Sequence, residues 1–266
     1  MLVCPVWNCH KPLAREPKRL VCPDGHSFDV ARSGYLNLLQ PQERRSREPG
    51  DSLAAVEARQ RLHDCRVSAP LLDAIAGITG ASASDVVLDA GCGDGFYLGS
   101  LAKRIGFDAH GVDISAPAIR AAARRFPPAE GRFEWVVANA DRHIPYADAS
   151  FSLVLSITAR MNPAEFRRVL HSAVGKDGRL LVAIASPEDL AELRGPGRDR
   201  VPRTLETFAT EFTLVDQRRA TTVADLDAEA VRDVLVSIYR PMRTQPIVAA
   251  TRLTFSLDLL LFKPRK

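Results

Sequence analysis

From Pro49-Gly50 onward, the hydrophobic pattern of the chain reads first as helix and then as alternating strand and helix. A helical stretch begins at Ser52, an N-cap candidate, and runs through "LAAVEARQRLHDC"; a second helix covers about "APLLDAIAGI". The period then shortens. Val86, Val87 and Leu88 form a short apolar strand followed by an acid, a glycine turn and a helix in "DVVLDAGCGDGFYLGSLAKRIGF". "AHGVDIS" predicts a second strand ending at Asp113, before the helix "APAIRAAARRF". "RFEWVVANAD" and "FSLVLSI" predict the third and fourth strands, "NPAEFRRVLHSAV" a helix, and "GRLLVAIAS" a fifth strand. Such alternation implies an α/β fold, a doubly wound, mostly parallel sheet with both faces covered. "TTVADLDAEAVRDVLVSIY" predicts a strand or turn and then a helix, while "TRLTFSLDL" and "LLLFKPRK" read as late antiparallel strands closing the sheet.

Composition narrows the class. The 266 residues are 46% hydrophobic and 26% charged, as in an ordinary globular protein, and exceed the usual domain size, so a large domain with a small accessory one is expected. No apolar run approaches the roughly 18 residues of a membrane span, and no secretory signal is evident, so no membrane association and cytoplasmic residence are expected. The net charge of +4 decides little by itself. Its distribution says more: Arg44, Arg45 and Arg47 crowd "QERRSR", and Arg194, Arg198, Arg200 and Arg203 fall in "RGPGRDRVPR", read as a Gly/Pro-rich loop. These are solvated surface or phosphate contacts.

Three of the five cysteines and two histidines fall before residue 27. Four residues lie between Cys4 and Cys9, three between Cys22 and His26, and twelve between the pairs, room for two short strands and a turn. Two knuckles across a short ribbon converge four ligands on a tetrahedral zinc ion. The first knuckle is longer than the commonest two-residue spacing, and His10 is an alternative to Cys9. Four protein ligands leave no open coordination position, so such a zinc is structural. After it, "HSFDVARSGYLNLL" offers Phe28, Tyr35, Leu36, Leu38 and Leu39, either as core or as a surface docking the ribbon on the next domain.

The turn Gly91-Cys92-Gly93-Asp94-Gly95 lets backbone approach a cofactor closely and opens a helix with free N–H groups. It differs from the dinucleotide pattern in having its third glycine one position early. Asp89 ends the first strand, where it orients the loop or receives an amine. Asp113 ends the second, where a carboxylate accepts both ribose hydroxyls. Asn139 and Asp141 end the third, where an adenine amino group would sit.

This portion resembles class I S-adenosylmethionine-dependent methyltransferases, with a Rossmann-like fold. Cys4, Cys9, Cys22 and His26 with "HSFDVARSGYLNLL", "RSREPGDS" followed by "AR" eight residues after Asp51, and "LDAGCGDG" together resemble a narrower family. These are the bacterial 23S rRNA (guanine-N1)-methyltransferases, which include enzymes giving resistance to tylosin-type macrolides. The resemblance implies a zinc-ribbon domain over 1–40, a linker and helical segment over 41–80, and a methyltransferase domain over 81–266. It further implies methyl transfer from S-adenosylmethionine to N1 of a guanine in a 23S rRNA hairpin loop lining the peptide exit tunnel, the zinc domain helping to clamp the RNA. Family members can be dimers, so a homodimer is admitted.

The chain departs from the family pattern at several points. Ser68 stands where a tyrosine helps enclose the cofactor, Asp189 where relatives often carry a histidine near it, Arg160 where a proline is common, and "GKDG" where Pro-Gly-Gly is usual. A base must take the proton of guanine N1, and His143 and Asn162 are the candidates near the pocket mouth. Each has a plainer reading, His143 as a loop residue and Asn162 as a helix cap. Two other functions share these features: a small-molecule methyltransferase with a zinc lid, and a non-catalytic RNA-binding relative.

Overall fold

The computed structural model describes residues 1–43, 46, 49–128, 131–173, 176–238 and 248–265. The amino-terminal ribbon is an antiparallel sheet of β1 (Ala14–Arg15), β2 (Arg19–Val21) and β3 (Ser27–Asp29). The chain then adds β4 (Leu36–Asn37) in parallel to the edge of the main sheet, where Leu36 pairs with Val136 and Asn37 with Val137. Leu36 and Leu38 are fully buried there.

Two helices follow, α1 (Leu53–Asp64) and α2 (Ala69–Thr79). Ser52 caps α1 by accepting from the Ala55 N–H at 3.2 Å, as its position predicted. Then come β5 (Val86–Ala90), α3 (Phe96–Ile105), β6 (Asp108–Asp113), α4 (Ala116–Arg125), β7 (Phe133–Val137), β8 (Leu153–Ile157) and α5 (Pro163–Val169). A two-stranded hairpin, β9 (Ser172–Ala173) and β10 (Lys176–Asp177), precedes β11 (Arg179–Ala185). Next are α6 (Ala191–Arg194), α7 (Val201–Phe208), β12 (Phe212–Leu226), α8 (Ala228–Ser237) and β13 (Thr251–Pro264).

The eight-stranded sheet runs β12-β13-β11-β8-β5-β6-β7-β4. Every pairing from β4 to β11 is parallel, while β13 joins β11, and β12 joins β13, in antiparallel fashion. This is the mostly parallel sheet with late antiparallel strands expected from the pattern. Strand order reverses direction at β5 and β8, which opens a crevice at the carboxyl ends of the strands.

Some local readings need correction. The helix expected over "NPAEFRRVLHSAV" stops at Val169, because Leu170 turns extended and bridges Phe151. Arg194 ends α6 and Arg203 lies inside α7, so "RGPGRDRVPR" is not one loop. The third strand ends at Val137, leaving Asn139 and Asp141 in the turn beyond it.

Apolar side chains cover both faces of the sheet. On one face Leu2, Cys4, Leu13, Leu20 and Cys22 of the ribbon share a continuous cluster with Leu88, Val112, Val136 and Phe166. On the other, Ile75, Leu98, Ile119 and Trp135 pack over Val87 and Leu155. A third cluster joins Leu62 of α1 to Val231 and Val234 of α8, and a bidentate Arg61–Asp233 pair at 2.7 and 2.8 Å locks these two helices together. Among the described residues no helix is long and apolar enough to cross a membrane.

Candidate functional site

The ribbon brings Cys4, Cys9, Cys22 and His26 together, with one ligand atom from each within 4.8 Å of all the others. The Cys9 and Cys22 sulfurs are 3.8 Å apart, and His26 Nδ1 lies 3.5 Å from Cys4 Sγ and 3.3 Å from Cys22 Sγ. A tetrahedron with Zn–S bonds of about 2.3 Å has edges of about 3.8 Å, so the quartet fits a zinc ion closely. Cys9 supplies the second sulfur, while the His10 ring lies against His143 at 4.3 Å between centroids. Burial pushes the Cys4 thiol up to about 12, so without a metal to replace its proton it stays neutral.

At the carboxyl ends of β5 and β6 the chemistry is different. Asp89 sits on β5, 2% exposed, and its Oδ1 has no partner among the described residues. Burial, and then the charge of Asp113, raise its carboxyl to about 8. Asp94 is equally buried, its Oδ2 is unpartnered, and burial raises it too. Asp113 accepts from the Gly93 N–H at 2.9 Å and from the Ser115 N–H at 2.8 Å, which fixes the turn. Two backbone bonds leave part of its acceptor capacity open.

Gly91 and Gly95 hold φ of 89° and 72°, a region that disfavours any Cβ. A Cβ at Gly91 would collide with the Ala159 methyl, and one at Gly95 would sit 2.6 Å from the Trp135 ring. Unpartnered buried carboxylate oxygens beside a turn whose glycines leave no Cβ in the way fit a ligand that carries both a cation and hydroxyls. S-adenosylmethionine is such a ligand.

The segment before α1 closes over this turn. Ser115 Oγ donates to the Asp51 carbonyl at 2.8 Å, and Asp51 holds Arg59 Nη1 at 2.6 Å. Arg59 reaches the acid cluster, where its charge opposes the burial that raises Asp94 and Asp113. His63 stacks on Phe96 with centroids 3.9 Å apart, and its Nε2 lies 3.9 Å from Asp94 Oδ1. Burial, followed by the charges of Arg59 and Arg125, lowers His63 to about 3, so the ring is neutral at physiological pH. Ser68 Oγ meets His63 Nδ1 at 2.8 Å. Arg59 and His63 were not among the sequence candidates, although the spacing of Arg59 from Asp51 is part of the recognised motif.

The loop after β7 is braced rather than free. Asn139 Oδ1 accepts from the Asp141 N–H at 3.1 Å, and Asp141 pairs with Arg160 at 3.3 Å. Asn162 caps α5 at 3.4 Å through Oδ1, while its Nδ2 donates to the carbonyls of Ala140 and Asp141 at 3.2 and 3.0 Å. His143 Nδ1 lies 3.3 Å from Glu165 Oε2, and its Nε2 is buried without a partner among the described residues. Burial alone would raise Glu165, but hydrogen bonds from Arg168, His143 and the Ile144 N–H outweigh it and hold the carboxyl at about 2.

Asp189 accepts from the Ser256 N–H at 3.0 Å and pairs with Arg194 at 2.6 Å, so two candidates assigned to different ligands meet each other. Arg198, Arg200 and Arg203 are exposed. Arg44, Arg45 and Arg47 lie outside the described residues.

A family model described as a methyltransferase domain matches residues 87–175, and a zinc-ribbon model described as RlmA, N-terminal, matches residues 2–47. The 23S rRNA (guanine(748)-N(1))-methyltransferase of Streptomyces fradiae is 37% identical over 88% of this chain and 83% of its own length. The crystal structure of MccD protein is similar in fold, with a TM-score of 0.52 at 16% identity over 73% of this chain and 96% of that one.

Proposed function

The chain belongs to the 23S rRNA (guanine-N1)-methyltransferase family, and we propose that it methylates N1 of a guanine in a 23S rRNA hairpin loop lining the peptide exit tunnel. Large-subunit precursor or naked RNA is the substrate, and macrolide resistance is the consequence assigned to the methyl group. The observation that carries this reading is the continuous apolar cluster joining the zinc-binding ribbon to the methyltransferase sheet. A zinc module fused to the catalytic core in this way can present a large substrate to the crevice. An rRNA substrate also implies cytoplasmic residence, where the ligand cysteines stay reduced.

S-adenosylmethionine, when bound, supplies a methyl on an already activated sulfonium. The chain's own work is then alignment and exclusion of water. Asp89 meets the cofactor's ammonium, because a buried and unpartnered carboxylate is stabilised by a cation. Asp113 receives the ribose hydroxyls on its remaining lone pairs. The tight backbone of Gly91, Gly93, Asp94 and Gly95 lines the approach, with Asn139 and Asp141 on the adenine side and Ser68 and Asp189 at the margin. Zinc, held by four protein ligands, is structural and takes no part in the transfer.

Guanine N1 must lose a proton. Asn162 is committed as cap and staple, and the unpartnered Nε2 of His143 is buried while Glu165 holds Nδ1, so neither is assigned as the base. Arg198, Arg200 and Arg203 form the phosphate-binding surface, beside Arg194, which is held by Asp189.

Reverse transcription on rRNA from cells with and without the gene tests the function directly, since a methyl at N1 blocks base pairing. A gene-dependent stop at a guanine of the exit-tunnel hairpin is expected, and identical stop patterns in the two strains contradict it.

A further inference from the structure

Among the described residues, Trp7 is the only phenylalanine, tyrosine or tryptophan classed as exposed, at 75%. Isolated apolar residues on a surface are ordinary. Trp7 is unusual in how it is held. The Cys9 N–H donates to the Val6 carbonyl at 2.9 Å, closing a tight turn with Trp7 and Asn8 at its corners. Asn8 has φ of 63°, in the left-handed region that the third position of such a turn accepts in Asn or Gly. The turn lies within the long first knuckle, between the ligands Cys4 and Cys9. Zinc coordination therefore fixes the backbone that presents the indole.

The ribbon leading into the knuckle is also seated on the segment that joins β7 to β8. The Val3 N–H donates to the Pro145 carbonyl at 3.0 Å, Ala147 N–H to the Met1 carbonyl at 2.9 Å, and Leu2 bridges Tyr146. The His10 ring packs tilted against His143. This loop leaves β7, carries Asn139 and Asp141, and exposes Arg142 next to His143. An exposed aromatic plane on a rigid turn, joined to the loop that borders the reaction, matches the way proteins hold single-stranded RNA. Bases splay out and stack on aromatic faces.

We propose that Trp7 is a stacking platform for an unpaired nucleobase of the 23S rRNA hairpin, setting its register against the crevice; this rests on the rRNA-methyltransferase reading above. Trp7 is a positioning residue and touches no reacting atom. The chain has two tryptophans, and the other, Trp135, is fully buried with its Nε1 donating to the Phe126 carbonyl at 2.8 Å. Emission accessible to acrylamide thus reports on Trp7.

The test titrates the full-length, zinc-loaded protein with naked 23S rRNA transcript and follows tryptophan emission, filter binding and methyl transfer. Saturable quenching and loss of acrylamide access at Trp7 are expected. Trp7→Ala raises KM for RNA about 5- to 100-fold with kcat nearly unchanged, keeps zinc and S-adenosylmethionine binding, and is largely rescued by Trp7→Phe. If RNA binds and is methylated while Trp7 stays fully accessible and Trp7→Ala has normal KM, the stacking role is overturned and the enzymatic reading stands. If wild type neither binds nor methylates RNA, both fall. A change of oligomeric state in Trp7→Ala with RNA affinity intact assigns the indole to contact between protein copies, and overturns the proposal. Should Trp7→Ala lose zinc, the quenching measurement and Trp7→Phe decide.

Discussion

The metal ribbon and the glycine crevice are built from opposite materials. In the ribbon, four side chains make the site, and the backbone is three short strands that could not hold it alone. In the crevice, backbone makes most of the site. Three glycines with positive φ form the turn, a deep parallel sheet supports it, and buried carboxylates stand at the strand ends beside it. The ribbon depends on what its residues can bond to. The crevice depends on what its residues leave out, namely Cβ atoms and a hydrogen-bond partner for the Asp89 and Asp94 oxygens. One region is therefore stabilised by its ligand outright, and the other carries unpartnered buried carboxylates until its ligand arrives.

The largest expected effect breaks the ribbon. Cys22→Ala should abolish stoichiometric zinc, measured by metal analysis, and forfeit much of a binding free energy of roughly 10–16 kcal/mol in comparable peptides. Because ribbon and sheet share a core, the melting temperature should fall as well. Transfer to RNA should drop by roughly 100-fold or more through misplacement alone.

Gly91→Ala attacks the crevice through geometry. A Cβ at φ of 89° meets Ala159, and calorimetry should show S-adenosylmethionine affinity reduced about 10- to 100-fold, with zinc content intact. Asp89→Asn leaves the shape and removes the charge, and a similar affinity loss of about 10- to 100-fold is expected for a charge-assisted contact.

The pH dependence sharpens the contrast further. Asp89 is raised in the folded protein to about 8, so between its unfolded value and 8 the folded state holds the extra proton. Stability from this group is complete at low pH and lost as pH rises through 8. Ligand-free wild type should lose about 2 kcal/mol more than Asp89→Asn between pH 6 and 8, measured by denaturant unfolding. Equal pH profiles would contradict the unpartnered carboxylate.

The smallest effect belongs to the exposed arginines. Arg198→Glu with Arg200→Glu should weaken RNA binding several-fold and lessen its salt dependence by about two phosphate contacts. S-adenosylmethionine affinity should not change.

How much of this was legible beforehand follows the same division. Ligand chemistry is written in residue types, so Cys4, Cys9, Cys22 and His26 could be read from spacing, and structure was needed only to prefer Cys9 over His10. The glycine turn and its acids were legible because strand ends and glycines leave a local pattern. Contacts made across the sequence were not. Leu36 reads as generic core until it pairs with Val136, and Leu170 reads as helical until its bridge to Phe151 draws it extended. Asp189 and Arg194 were assigned to cofactor and RNA, yet they bond each other. His63 carried no local signal at all, since its role arises from a stack on Phe96 and the approach to Asp94, both on another element. The region from Glu188 to Ala220 received no predicted helix or strand, only Asp189 and an arginine-rich loop, and it holds α6, α7 and the start of β12.

The most direct measurement incubates the purified protein with S-adenosylmethionine labelled in its methyl group and with naked 23S rRNA, then digests the RNA to nucleosides. The account predicts that label accumulates in 1-methylguanosine. Label in any other nucleoside, or in no nucleoside while the protein still binds the cofactor, would contradict it.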